Sequence, residues 1–286
     1  MSGHEVRWTF HATAMVADYD EAIGRLGSLF GLRVLEYSES TIPEVGRRGG
    51  MTWVGDNSIE IGQPLVAGAG AARFIERSGG GVHSVALQVS DLEASIEHLA
   101  AMGVPVAARP DPRFCFTDPR ATGGVFFEWA DIEVGEDPRF GAPVPPAAPA
   151  ALPALRHAFI GALVDDPPAW AERFAALLGT EVTASDPGAG PGRPEATVSL
   201  RDQVLALYRL EPEGSEAVWG RTYDRARTHL IGLQVDSLDE AAEVLGASGV
   251  VPVRRDDRVL VLAPGDVGGI GVALVEQLLD GDPRSA

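Results

Sequence analysis

The chain has 286 residues, 45% hydrophobic and 22% charged, with a formal net charge of −18. That length suits two compact domains, the acidity argues against nucleic acid or an anionic membrane as partner, and no apolar run approaches the roughly 20 residues of a membrane span. All 23 basic residues are arginine, which excludes Schiff-base and lysine general-base chemistry. The start, MSGHEVRWTF, lacks the basic-then-apolar pattern of a signal peptide. The single cysteine, Cys115, cannot form an internal disulfide, so a reducing cytoplasm is the default expectation.

In chain order, FHATAMVADYDEAIGRLGSLFGLRVLE reads as strand, turn, amphipathic helix, glycine end and strand. Apolar positions first alternate, then shift to helical spacing at Ala22, Leu26, Leu29 and Phe30. VHSVALQVSDLEASIEHLAAMGVPV, HAFIGALVDDPPAWAERFAALLGTEV and THLIGLQVDSLDEAAEVLGASGVVPV repeat that order. Two short strand-like runs follow each, beginning with MTWVG and SIEIGQP. The expectation is an α+β protein of four tandem βαβββ modules. GAGAA at 68–72 reads as a turn. The Pro/Ala-rich stretch 133–155 reads as a linker between a first unit, 1–132, and a second, 156–286. One module leaves an uncovered sheet face, and two side by side close a cup around a pocket. The modules pair in sequence order or as first with fourth and second with third. The fused pair stands in for a dimer, so the expected state is a monomer or a homodimer.

The quoted pieces His11, IPEVG at 42–46, SIEIGQP at 58–64, RFIERSGGGVHSVALQVSDLE at 73–93 and DPRATGGVFFEW at 118–129 resemble the vicinal oxygen chelate superfamily. That superfamily includes glyoxalase I, extradiol dioxygenases, methylmalonyl-CoA epimerase and bleomycin-type resistance proteins. The first half most resembles the epimerase. The resemblance implies two open-barrel cups and a divalent metal (Co, Mn, Zn, Ni or Fe) held by one side chain from each of four strands. Residue by residue it points to His11, Glu60 and Glu128 as metal ligands. The remaining ligand position falls at His83 or Ser84. Counting back along the strand turns Ser84, Ala86 and Gln88 inward and His83 outward, unless a β-bulge near Gly79–Gly81 reverses the face. Where some relatives carry a glutamate base, this chain has Gly49, which leaves room for a larger ligand. Glu44 is nearby. Glu128 and Glu44 are therefore the candidate catalytic residues, and Gly49, Met51, Trp53, Ser84 and Gln88 the candidate substrate-binding ones.

In the second half, Phe159 answers His11, Tyr208 answers Glu60, Leu230 answers Ser84 and Ala273 answers Glu128, so no metal is expected there. Three functions remain open, each with a small-molecule substrate or ligand as partner. The first is metal-assisted isomerase, epimerase or lyase chemistry through an enolate. The second is non-catalytic binding of an aromatic or antibiotic-type compound, with Trp53, Phe114, Phe116, Phe126 and Trp129 as stacking surface. The third, an extradiol-type dioxygenase, depends on His83 facing inward.

Overall fold

The computed structural model describes residues 3–37, 46–134, 137–143 and 148–285. The first module comprises β1 (Val6–Met15), α1 (Tyr19–Phe30), β2 (Leu35–Tyr37), β3 (Arg47–Val54) and β4 (Asn57–Pro64). A helix, α2 (Gly70–Ser78), leads to the second: β5 (Gly81–Val89), α3 (Leu92–Ala101), β6 (Val106–Asp111), β7 (Phe114–Thr117) and β8 (Phe127–Ala130). The third is β9 (Arg156–Val164), α4 (Pro167–Leu178), β10 (Val182–Ser185), β11 (Ala196–Ser199) and β12 (Val204–Arg209). After the short α5 (Ser215–Trp219) comes the fourth: β13 (Arg227–Gln234), α6 (Leu238–Ala247), β14 (Arg254–Arg255), β15 (Leu260–Leu262) and β16 (Val272–Val275). Four βαβββ modules are therefore present, as the repeated periodicity predicts. The expected turn at 68–72 instead runs into α2.

Each module helix starts the same way. Asp18, Asp91, Asp166 and Ser237 sit at the N-caps and accept from the backbone N–H of Glu21, Ala94, Ala169 and Glu240, satisfying a donor the helix itself cannot. α1 stops at Gly31 in the left-handed region at φ 73°. A Cβ there would also lie 2.5 Å from the Ala148 carbonyl oxygen, so both the backbone and the returning chain require glycine.

Modules one and two share one eight-stranded sheet, ordered β2-β3-β4-β1-β5-β8-β7-β6. Modules three and four share another, ordered β10-β11-β12-β9-β13-β16-β15-β14. The in-sequence pairing thus builds each cup. The outer faces pair differently. α1, with Ala14, Ile59 and Ile61, packs on Leu233, Leu238, Leu245 and Leu274 of the fourth module. Val85, Leu87, Leu99 and Phe127 of the second pack on Ile160, Phe174 and Leu178 of the third. Length alone suits two halves with separate cores, but the two largest apolar clusters span both halves. The stretch read as a linker is pinned as well: Leu152 joins a shared core, and Arg139 donates to the Thr9 and Phe10 carbonyls at 2.5 and 2.7 Å. Among the described residues no helix is long and apolar enough to cross a membrane.

Candidate active site in the first cup

Residues alternate in and out along a strand, so register fixes which side chains meet. Glu60 on β4 pairs with Thr13 on β1. His11, two residues back on the same face, pairs with Ala86 on β5, which in turn pairs with Glu128 on β8. Ala86 carries only a methyl, so His11 and Glu128 meet above it across an intervening strand. His11 Nε2 lies 3.6 Å from Glu60 Oε2 and 3.9 Å from Glu128 Oε2, and all three side chains are buried.

Glu60 is held on both oxygens. Arg47 Nη2 donates to Oε1 at 2.6 Å, the Tyr37 hydroxyl donates to the same oxygen, and Thr13 Oγ1 donates to Oε2 at 3.1 Å. Burial pushes the Glu60 carboxyl up, but Arg47, His11 and the Tyr37 and Thr13 hydrogen bonds outweigh it and hold the group below its usual range. Glu128 has no such support. Burial, followed by the charge of Glu60, pushes it up to about 8, with Arg47 opposing. Burial pushes His11 down to about 4 against the pull of Glu60, and among the described residues neither of its ring nitrogens has a hydrogen-bond partner. At neutral pH this leaves one ionised carboxylate paired with one guanidinium, one protonated carboxyl and one neutral imidazole.

A divalent cation fits this donor set. Atoms about 2.0–2.2 Å from a shared ion stand roughly 3–4 Å apart, a spacing that the two His11 separations meet. His11 Nε2 is an orphaned buried atom aimed between the two carboxylates. Among the described residues no three His, Cys, Asp or Glu side chains form a finished metal-binding arrangement, and Glu60 Oε1 is engaged by Arg47 and Tyr37. Neither of those two residues is apparent in the sequence reading. The available signal is general: a buried carboxylate needs a cation, and Arg47 is the nearest arginine that precedes Glu60 on the same face.

The remaining expectations divide. Met51 lies opposite Glu60, and Trp53 lies opposite Ser58 on the same face. Gly49 lies opposite both Gly62 and Tyr37. The room it leaves is taken by the Tyr37 phenol, since a Cβ on Gly49 would stand 2.7 Å from that oxygen. Ser84 and Gln88 are buried on the cup face, while Val85, Leu87 and Val89 lie in the outer core. The bulge comes later than Gly79–Gly81: pairing steps from Thr13↔Ser84 to Ala14↔Val82 and leaves His83 as the extra residue. His83 is therefore on the cup side beside Ser84, packed edge-on against Phe74 and Phe126 at 4.7 and 4.9 Å. It lies more than 4.0 Å from every carboxylate oxygen among the described residues. Burial, then Arg47 and Arg227, push it down to about 3. Phe116 and Phe126 stack at 5.0 Å on the cup wall, with Phe114 edge-on to Phe116 at 5.6 Å. Trp129 is a correction: it alternates with Glu128 and is buried in the outer core. Glu44 lies outside the described residues.

The second cup is filled with apolar groups. Phe159, Tyr208, Leu230 and Ala273 belong to one cluster with Trp219 and Tyr223. One expected correspondence shifts. Phe159 pairs with Gly232 as His11 pairs with Ala86, but Gly161 pairs with Ala206 where Thr13 pairs with Glu60, so Ala206, not Tyr208, stands in the Glu60 position. His229 occupies the same bulge as His83, with its ring 4.6 Å from Trp219 and 5.4 Å from Tyr208.

Four βαβββ modules closing two cups define a protein of the vicinal oxygen chelate fold. The sequence profile of the Glyoxalase/Bleomycin resistance protein/Dioxygenase superfamily matches residues 10–120, within the first half of the chain. A triple mutant of 4-hydroxymandelate synthase from Streptomyces coelicolor has a TM-score of 0.66 at 15% identity, covering 98% of this chain and 96% of its own. That likeness establishes the shared fold over both halves. Methylmalonyl-CoA epimerase from Mycobacterium tuberculosis is 27% identical, with a TM-score of 0.41 over 46% of this chain and 91% of its own. The Streptomyces coelicolor epimerase in complex with 2-nitronate-propionyl-CoA is 20% identical, with a TM-score of 0.40 over 44% of this chain and 96% of its own. No curated protein matches the sequence.

Proposed function

We propose that the first cup is the active site of a metal-dependent isomerase, epimerase or lyase that works through an enolate. Its substrate would be a small oxygenated acid, an acyl-CoA or a polyketide-like molecule. The observation that carries this reading is the meeting of His11 Nε2 with Glu60 and Glu128 from three strands, at 3.6 and 3.9 Å. An imidazole with two unpartnered nitrogens costs free energy to bury; an incoming ligand or ion offsets that cost. His11, Glu60 and Glu128 would hold the cation, which when bound polarises a substrate carbonyl. Glu128 is protonated near neutrality only while no cation is bound, because a carboxyl that ligates the cation gives up its proton; whichever of Glu60 and Glu128 does not ligate, or Glu44, would move the proton at the adjoining carbon. Phe114, Phe116 and Phe126 exclude water from that side, and Arg47 keeps Glu60 ionised.

A second reading, ligand binding without turnover, is favoured by the full occupation of Glu60 and by the phenylalanine wall. The dioxygenase reading depends on His83 facing inward; the bulge puts His83 on the cup side, where it packs against Phe74 and Phe126 and, among the described residues, touches no carboxylate. Elemental analysis and thermal melting of the purified protein separate the first two. Stoichiometric divalent metal, or a melting point raised by added Mn, Co or Zn and lost in His11→Ala and Glu128→Ala, supports the enzyme. A wild type with neither property supports plain binding.

A further inference from the structure

We propose that Arg47 and Tyr37 form a clamp on Glu60 with which a divalent cation must compete, and that the charge of Arg47 sets the metal affinity of the cup. This rests on the metal-site reading above and names residues outside the ligand set.

The clamp is built into the strand pairing. Gly49 and Gly62 face each other across β3 and β4, and with no side chains they leave a bare floor inside the cup. Arg47 and Tyr37 lie on that floor. A Cβ on Gly62 would touch Arg47 Cδ at 3.4 Å, and one on Gly49 would stand 2.7 Å from the Tyr37 oxygen. Both side chains end on Glu60 Oε1, while Oε2 carries Thr13 and faces His11. Among the described residues Arg47 Nε is buried without a partner, and the guanidinium's one carboxylate contact is Glu60.

Two cations therefore contend for one carboxylate. A guanidinium 2.6 Å from Glu60 stands within a few ångströms of any ion bound to the other oxygen. In a poorly hydrated cup that repulsion is weakly screened. Glu60 is left able to offer one oxygen only, so the ion binds in a single-contact mode and is readily lost. Removing the charge of Arg47 removes the repulsion and leaves the second oxygen with the Tyr37 hydroxyl alone. Removing the Tyr37 hydroxyl frees one hydrogen bond and leaves the charge in place.

The test is calorimetric titration of metal-stripped protein with Mn²⁺ or Co²⁺. Arg47→Gln should bind about tenfold or more tightly than wild type, Arg47→Lys should stay near wild type, and Tyr37→Phe should gain about threefold. A purely structural role for Arg47 would move the Gln and Lys variants alike, so equal affinities in those two overturn the proposal. Wild type that binds metal while Arg47→Gln binds no more tightly also overturns it and leaves the metal site standing. No binding by any variant removes the metal site itself. If Arg47→Gln does not fold, Tyr37→Phe decides: unchanged affinity overturns the clamp.

Discussion

In the first cup β1 turns His11 inward over Ala86, toward two carboxylates. At the matching place in the second cup β9 turns Phe159 onto Gly232, where a Cβ would come within 2.2 Å of the ring. One interior gathers two carboxylates, a guanidinium and an imidazole; the other is closed by aromatic and aliphatic side chains around His229. The outer cores are shared between the halves, so the apolar cup packs directly against the polar one. A domain can leave buried polar groups unpaired only where the rest of the fold supplies the stability.

The sharpest way to break this comparison is to exchange the consequences of mutation at the two equivalent positions. Phe159→Ala should cost about 3–5 kcal/mol, roughly 10 °C of melting temperature, and leave metal affinity unchanged. His11→Ala should barely lower the melting point yet abolish metal binding by calorimetry. Large destabilisation at His11 with none at Phe159 would reverse the assignment of roles.

A smaller effect concerns pH. Glu128 is raised from 4.5 to about 8 in the folded protein. Between those values the unfolded chain has released the proton and the folded chain has kept it, so stability falls as pH rises through that window. His11 acts in the opposite direction: its value is depressed from 6.5 to about 4, and stability is lost as pH falls through that range. Melting curves in chelator should therefore show Glu128→Gln losing the decline between pH 5 and 8 while keeping the acid limb. A Glu128→Gln profile parallel to wild type would mean that the carboxyl is ionised in the fold.

The smallest effect is expected at His229, whose ring nitrogens have no partners and whose value is pushed down to about 3 by burial and then Arg227. His229→Leu should change stability by less than about 1.5 kcal/mol and leave metal affinity untouched. A change in metal affinity there would mean that the cups communicate.

Much of this arrangement is legible in the sequence. Helical and alternating periodicities mark all four modules, and Glu60 and Glu128 stand out as carboxylates inside apolar alternating runs. What stays hidden depends on pairing between strands. The Tyr37–Glu60 contact requires Tyr37 to face Gly49, and no local pattern states that. The extra residue at His83 breaks alternation without a glycine or proline at that position to announce it. The same limit explains the displaced match at Tyr208, where residue counting fails and the β9–β12 register gives Ala206. The sharing of outer cores is equally invisible, since an apolar helix face does not say which half covers it.

The most direct test is a crystal soaked in Mn²⁺ or Co²⁺ and measured at the metal absorption edge. The account predicts one anomalous peak in the first cup, about 2.0–2.2 Å from His11 Nε2 and from one oxygen each of Glu60 and Glu128, and none in the second. A peak elsewhere, or an intact Arg47–Glu60 pair at full soak with no peak beside it, would contradict the account.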